Sequence, residues 1–248
     1  MAKYWNAPAG CQPGLYQRVY GRATALAHGL FPATCYLCLD PGQPPALDLC
    51  FACEADLPFN AVACPVCAGP VPAGPGPCRR CRRRRRAFDA AFAPYRYEFP
   101  LVELIHRMKY RGVLPITRIL GCLLGRRLAE RGVPGVDALV PVPLHAARER
   151  WRGYNQAREI AVFAAREIGL PVQDRLARRI RPTAEQAALP AGLRRRNLRD
   201  AFDVAARAPP RVAIVDDVLT TGATAEELAR ALRRAGCHWI ETWAVARA

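Results

Sequence analysis

The hydrophobic positions change their rhythm near residue 88. Beyond it, short apolar runs alternate with segments of helical period. AFAPYRYEF (91–99) alternates as a strand does. LVELIHRMKY (101–110) places Leu101, Leu104, Ile105 and Met108 on one helical face. PITRILGCLLGRRLAERG follows, with Ile116, Ile119, Leu120, Leu123, Leu124 and Leu128 on a broad face. Pro115 suits its first turn and Gly132 its end. DALVPVPLH predicts a short strand. Proline cannot donate to a central ladder, so Pro141 and Pro143 require the strand to end there or lie at an edge. GYNQAREIAVFAAREIGL is an amphipathic helix through Ile160, Ala161, Ala164 and Ile168. RVAIVDD is an unbroken apolar run, as in a central parallel strand covered on both faces. ATAEELARALRRAGC predicts a helix stopped by Gly236, and WIETWAVAR a closing strand. The alternation argues for an α/β fold with a doubly wound, mostly parallel, Rossmann-like sheet over residues 87–248.

The first third reads differently. Residues 1–30 form an extension with a short amphipathic helix predicted over 15–30. Residues 31–86 carry four Cys-x-x-Cys pairs: Cys35 and Cys38, Cys50 and Cys53, Cys64 and Cys67, Cys78 and Cys81. The spacers, such as AGPVPAGPGP, are too rich in Pro and Gly to build a core. A two-residue gap lets both thiolates of a pair face one ion, and two pairs complete a tetrahedron. Four pairs predict two structural Zn2+ sites in a small zinc-ribbon module, with metal supplying much of the folding energy. Sequential pairing is simplest and an interleaved brace remains open. Cys11, Cys122 and Cys237 stand apart, Cys122 as a core residue of the 115–132 helix.

Charge adds to this picture. The net charge is +16, and Lys3 and Lys109 are the only lysines, so arginine carries the positive balance. Arginine forks onto phosphate with two hydrogen bonds, which suits a phosphorylated substrate or nucleic acid. Seven arginines fall within residues 79–86. They read either as a solvated linker or as a patch facing nucleic acid or phosphate. No apolar run is long enough to span a membrane. MAKYWNAPAGCQPG lacks the pattern of an export signal. A cytoplasmic protein is expected.

Chemistry concentrates in VAIVDDVLTTGAT (212–224). Ligands of doubly wound sheets bind beyond the carboxyl ends of the strands, which is where Asp216 and Asp217 fall. Two adjacent carboxylates repel each other and call for a compensating ligand. Thr220, Thr221, Gly222, Ala223 and Thr224 then turn into a helix, whose backbone N–H groups and dipole attract an anion. The ligand needs phosphate at one end and hydroxyls or a cation at the other.

VAIVDDVLTTGAT resembles the phosphoribosyl pyrophosphate signature of type I phosphoribosyltransferases. That resemblance implies that Asp216 and Asp217 bind ribose hydroxyls, that Thr220, Thr221, Gly222, Ala223 and Thr224 hold the 5′-phosphate, and that Mg2+ binds with the pyrophosphate. With the cysteine pairs, HRMKYRG (106–112), LVPVPLH (139–145), RWRGYNQA (150–157) and RPTAEQAALPAGLRRRNLRDAF (181–202), residues 35–248 resemble the ComF family of competence-related proteins. That family joins a zinc ribbon to a phosphoribosyltransferase domain. The resemblance implies that Arg148, Arg150 and Arg152 meet the pyrophosphate, and that Arg194, Arg195, Arg196 and Asn197 belong to a loop over the site. Two functions follow as expectations. One is phosphoribosyl transfer, which needs no nucleophilic side chain. The other is handling of single-stranded DNA in natural transformation by the ribbon and basic surface. His145 is the one histidine near the expected pyrophosphate loop, and no catalytic base is assigned.

Overall fold

The computed structural model describes residues 32–44, 47–72, 76–133, 135–181, 200–205 and 207–248. The helix expected over 15–30, Cys11, and Arg194, Arg195, Arg196 and Asn197 lie outside them. The helices described are α1 (Phe51–Ala55), α2 (Arg79–Arg83), α3 (Leu101–Arg111), α4 (Pro115–Arg131), α5 (Ala146–Arg152), α6 (Gln156–Ile168) and α7 (Ala223–Arg234). The strands are β1 (Ala90–Phe92), β2 (Tyr95–Arg96), β3 (Ala138–Pro141), β4 (Ala177–Arg179), β5 (Phe202–Val204), β6 (Arg211–Leu219) and β7 (Trp239–Arg247).

The main sheet runs β1-β7-β6-β3, with β2 also pairing β7. Every pairing in it is parallel. The strand expected over 91–99 is two short ones, because Pro94 interrupts the ladder between β1 and β2. β3 ends on Pro141 at the edge of this order, as its prolines require. Its outer side is closed by Leu139 N–H donating to Pro171 O and Gln173 N–H donating to Leu139 O.

Helices cover both faces, so the fold is a doubly wound α/β sheet. On one face Ile105 of α3, Leu120 and Leu124 of α4, and Ile160 and Ala164 of α6 bury Val215, Trp243 and Val245. On the other, Leu228 and Leu232 of α7 pack with Phe88, Val212, Ile214 and Ile240. The α4–α6 contact depends on small residues. A Cβ at Gly121 would lie 2.5 Å from Phe163 Cβ and 2.7 Å from Ile160 O, too close for any side chain.

The cysteine module docks on this body at several places. Arg107 of α3 donates to Tyr36 O, and Arg126 of α4 reaches Gln43 and Glu54. Farther along, the buried Asn60 amide donates to Ala68 O and Ala93 O, tying the module to the segment between β1 and β2.

Candidate functional site

β6 carries Val212 to Val215 through the middle of the sheet and delivers Asp216 and Asp217 near its carboxyl end. Thr220 to Gly222 then turn into α7. Gly222 has φ 77°, the left-handed region open to glycine at little cost, and is the N-cap of α7. Thr221 Oγ1 accepts from Ala223 N–H. Thr220 is exposed, Thr221 and Thr224 are half-buried, and Ala223 is buried. The five predicted phosphate-loop residues therefore form one continuous turn at a helix N-terminus, beside the acidic pair.

The acidic pair has a cationic partner that sequence reasoning did not assign. Lys109 Nζ lies 2.9 Å from Asp217 Oδ2. Burial disfavours the Lys109 ammonium, but Asp217, with Asp216 behind it, outweighs burial and raises its pKa above the usual lysine value. Asp216 accepts from the Asp217 N–H at 2.9 Å. Burial pushes its carboxyl up to about 7, and the Asp217 charge adds to the push, while Lys109, the Asp217 N–H and Arg179 pull it down. Asp217 thus pairs directly with an ammonium whose charge Asp216 also feels, near the carboxyl end of β6. Tyr154 closes this corner by donating to Met108 O at 2.7 Å.

The expected pyrophosphate arginines fall on α5, where the sequence reading placed a loop. His145 caps that helix, its Nδ1 accepting from Ala147 N–H at 3.3 Å. Arg148 is half-buried, Arg150 exposed, and Arg152 donates to Gln156 Oε1 at 3.3 Å. A spacing of four residues puts Arg148 and Arg152 on one side of the helix and Arg150 away from it. Arg179, at the end of β4, joins Arg148. Burial lowers its pKa to about 10, Arg148 adds repulsion, and Asp216 offsets part of it. The arrangement thus puts Arg179 within electrostatic reach of both Arg148 and Asp216 and leaves Arg150 in solvent.

The cysteines segregate sequentially: Cys35, Cys38, Cys50 and Cys53 in one cluster, Cys64, Cys67, Cys78 and Cys81 in the other. The four sulfur atoms of each lie within 4.8 Å of one another. Backbone N–H groups point at them, Cys53 N–H donating to Cys50 Sγ and Cys78 N–H to Cys64 Sγ. Convergent sulfurs without carboxylate or imidazole fit closed, structural zinc. Cys122 is half-buried in α4 and packs against the core, and burial pushes its thiol up to about 12.

The arginine tract is not a uniform solvated strip. Arg79, Arg80, Arg82, Arg83 and Arg85 are exposed. Arg84 and Arg86 instead turn inward to the buried Glu226 of α7, at 3.2 and 2.9 Å. Arg230 reaches the same carboxylate at 3.0 Å. No helix among the described residues is long and apolar enough to cross a membrane.

No protein-family model matches the chain. It is 32% identical over 221 residues to the DNA utilization protein YhgH of Salmonella typhi, covering 87% of this chain and 97% of that protein. It is 35% identical over 181 residues to Competence protein F of Haemophilus influenzae, covering 69% and 78%. Competence protein ComFC of Bacillus subtilis is 27% identical over 197 residues, covering 76% and 79%. Among solved structures, a glutamine phosphoribosylpyrophosphate amidotransferase from B. subtilis, complexed with ADP and GMP, aligns with TM-score 0.36 and 19% identity over 52% of this chain and 26% of that one. A purine phosphoribosyltransferase from Pyrococcus horikoshii aligns with TM-score 0.30 and 15% identity over 53% and 83%. Overlaps this partial leave the fold to rest on the sheet order itself. The identity to the Salmonella and Haemophilus proteins is of another kind: it runs along most of their length, and this chain belongs to the ComF family.

Proposed function

We propose that the site at the carboxyl end of β6 binds phosphoribosyl pyrophosphate. The observation that carries this is the acidic pair with its ammonium, set directly before a glycine-capped helix N-terminus. One half of the site recognises hydroxyls, the other an anion. In this reading Asp216 and Asp217 accept from the ribose 2′- and 3′-hydroxyls, and Thr220, Thr221, Gly222, Ala223 and Thr224 hold the 5′-phosphate. Arg148 and Arg152, joined by Arg179, meet the diphosphate, while the solvent-facing Arg150 stays outside the site. Carboxylate oxygens and diphosphate are hard donors suited to Mg2+, with Asp216 and Asp217 the fitting residues of this chain. Bound with the diphosphate, Mg2+ neutralises its charge.

The chemistry that such a site supports is displacement at the anomeric carbon. The bond to the diphosphate oxygen breaks, a bond to an acceptor nitrogen forms, and the acceptor's proton leaves to solvent. Positive charge develops on the sugar while negative charge grows on the leaving group. The carboxylates stabilise the first and the arginines the second, as groups already in position. Calorimetry with phosphoribosyl pyrophosphate and Mg2+ tests this. Binding is expected in the natural protein and lost when Asp216→Asn and Asp217→Asn are combined; undiminished binding in that double variant refutes the site.

A second reading concerns DNA. Relatives carry the names competence protein and DNA utilization protein, and we place this chain in the handling of DNA on that basis. The five exposed arginines around the second cysteine cluster offer a phosphate-binding surface for single-stranded DNA. Binding to an oligonucleotide should weaken steeply with salt. Neutral residues at Arg79, Arg80, Arg82, Arg83 and Arg85 should flatten that slope; an unchanged slope removes the surface from consideration.

A further inference from the structure

The second cysteine cluster and the phosphate loop are physically joined. Two arginines make the join, one at each end of the loop. Arg86 has a side chain only 5% exposed. It donates to Thr221 O at 3.2 Å and to Glu226 Oε2 at 2.9 Å, and its charge and the Cys81 sulfur, five residues back along the chain, act on each other electrostatically. Its Nη1 lies 3.5 Å from where a Cβ on Gly222 would sit. Arg247, at the end of β7, donates through Nη1 to Leu219 O at 2.9 Å and through Nε to Cys67 O at 3.1 Å. The Cys67 sulfur also acts on the Arg247 guanidinium electrostatically.

The chemistry of the cluster explains why arginines are there. Four thiolates around one Zn2+ leave a net charge of about −2. Buried or half-buried, such a centre needs cationic hydrogen-bond donors outside its ligand shell, and groups in that position orient the ligands and tune the metal. A guanidinium is a planar fork that can face a sulfur on one side and donate to a carbonyl on the other. Lysine, a single point of charge, cannot span both. Leu219 O and Thr221 O therefore stay fixed while the cluster is intact. The loop N–H groups between Thr220 and Ala223 keep their direction because those carbonyls do.

We propose that Arg86 and Arg247 are positioning residues of the phosphate loop, and that they couple occupancy of the loop to retention of metal by the second cluster. This rests on the reading of residues 220–224 as a phosphate site. Neither arginine touches the ligand; each acts by holding the backbone that does. Coupling is reciprocal, so a ligand that orders the loop must also strengthen the cluster's hold on its ion. The first cluster, which docks on α3 and α4 through Arg107 and Arg126, has no such connection among the described residues and serves as an internal control.

The experiment uses the full, zinc-loaded chain with ribose 5-phosphate as probe. Zinc release to a coloured chelator is followed with and without saturating probe, and probe binding is measured separately by calorimetry. The phase that Cys38→Ser leaves unaccelerated reports the second cluster. Probe should slow that phase roughly fivefold or more and leave the other unchanged. Arg86→Met should abolish the slowing, and Arg86→Lys should fail to restore it, because its charge remains but its fork is gone. Binding without selective slowing in the natural protein overturns the coupling, with no variant needed. Equal slowing of both phases also overturns it, since that signals general stabilisation. Absence of probe binding refutes instead the phosphate-loop reading, and the proposal falls with it.

Discussion

Asp216 is a residue whose charge should oppose folding and serve binding. Its carboxyl has a pKa of about 7 in the folded chain against an ordinary value of 3.8. A raised carboxyl contributes most to stability while it is protonated in both states, below pH 3.8 or so. That contribution is lost as pH climbs toward 7, where the folded chain must also ionise it. At about 1.4 kcal/mol per pKa unit, the loss totals about 4 kcal/mol. Asp216→Asn escapes it, because an amide does not ionise and its oxygen can still accept from the Asp217 N–H. In urea titrations, the stability of the variant relative to the natural protein should therefore grow by about 3 kcal/mol between pH 5 and pH 8, then level off. Taking the difference between the two proteins cancels the titration of the other carboxylates. Affinity for phosphoribosyl pyrophosphate should move oppositely. It should rise through pH 7 in the natural protein and be lost from the variant at any pH. A stability difference that stays flat from pH 5 to pH 8 would sink the reasoning, since it would mean that Asp216 ionises freely in the fold.

Three further outcomes are expected. Lys109→Met removes the cation facing both carboxylates, so affinity for the pyrophosphate sugar should fall at least tenfold. The pH midpoint of that affinity should also rise, because the pair becomes harder to ionise; an unmoved midpoint would confine Lys109 to packing. Gly121→Ala forces a methyl against Phe163 and the Ile160 carbonyl and should lower unfolding free energy by about 1–3 kcal/mol; an unchanged urea midpoint would show that the two helices are not in close contact. Elemental analysis should find one zinc per cluster, and Cys64→Ser should lose one equivalent while the first cluster keeps its own.

Much of this was legible because periodicity is robust over long apolar segments. α4, α6, α7, β6 and β7 each show the face or run that the sequence displays, while the acidic pair, expected at the strand end, lies inside β6, which continues past it to Leu219. Two elements were hidden for physical reasons. α5, AARERWR, buries none of its residues, so no apolar stripe announced it; the His145 cap and the turn at Gly153 define it instead. β4 and β5 pair as Ala177–Arg179 with Phe202–Val204, and such short charged strands, far apart in sequence, leave no local signal. The site was hidden differently. Lys109 had a usable sign, being one of two lysines in a chain that otherwise uses arginine, yet HRMKYRG served only as a family marker. No sign separates Arg86 from its six arginine neighbours in the tract. Which of them turns inward is decided by Glu226 and Cys81, residues that sequence alone does not bring together.

The position of β7 bears on how the protein is made. β7 lies between β1 and β6, yet it follows both of them in the chain. During synthesis β1 emerges roughly 150 residues before its partner, a wait on the order of ten seconds at ordinary translation rates. For most of that time the body of the protein has neither of its interior strands, and its apolar faces stay open. The cysteine module faces no such delay, since all eight of its ligands precede β1. Zinc can close it while the ribosome is still elongating, so that a finished, arginine-lined surface is waiting when β6 and β7 arrive.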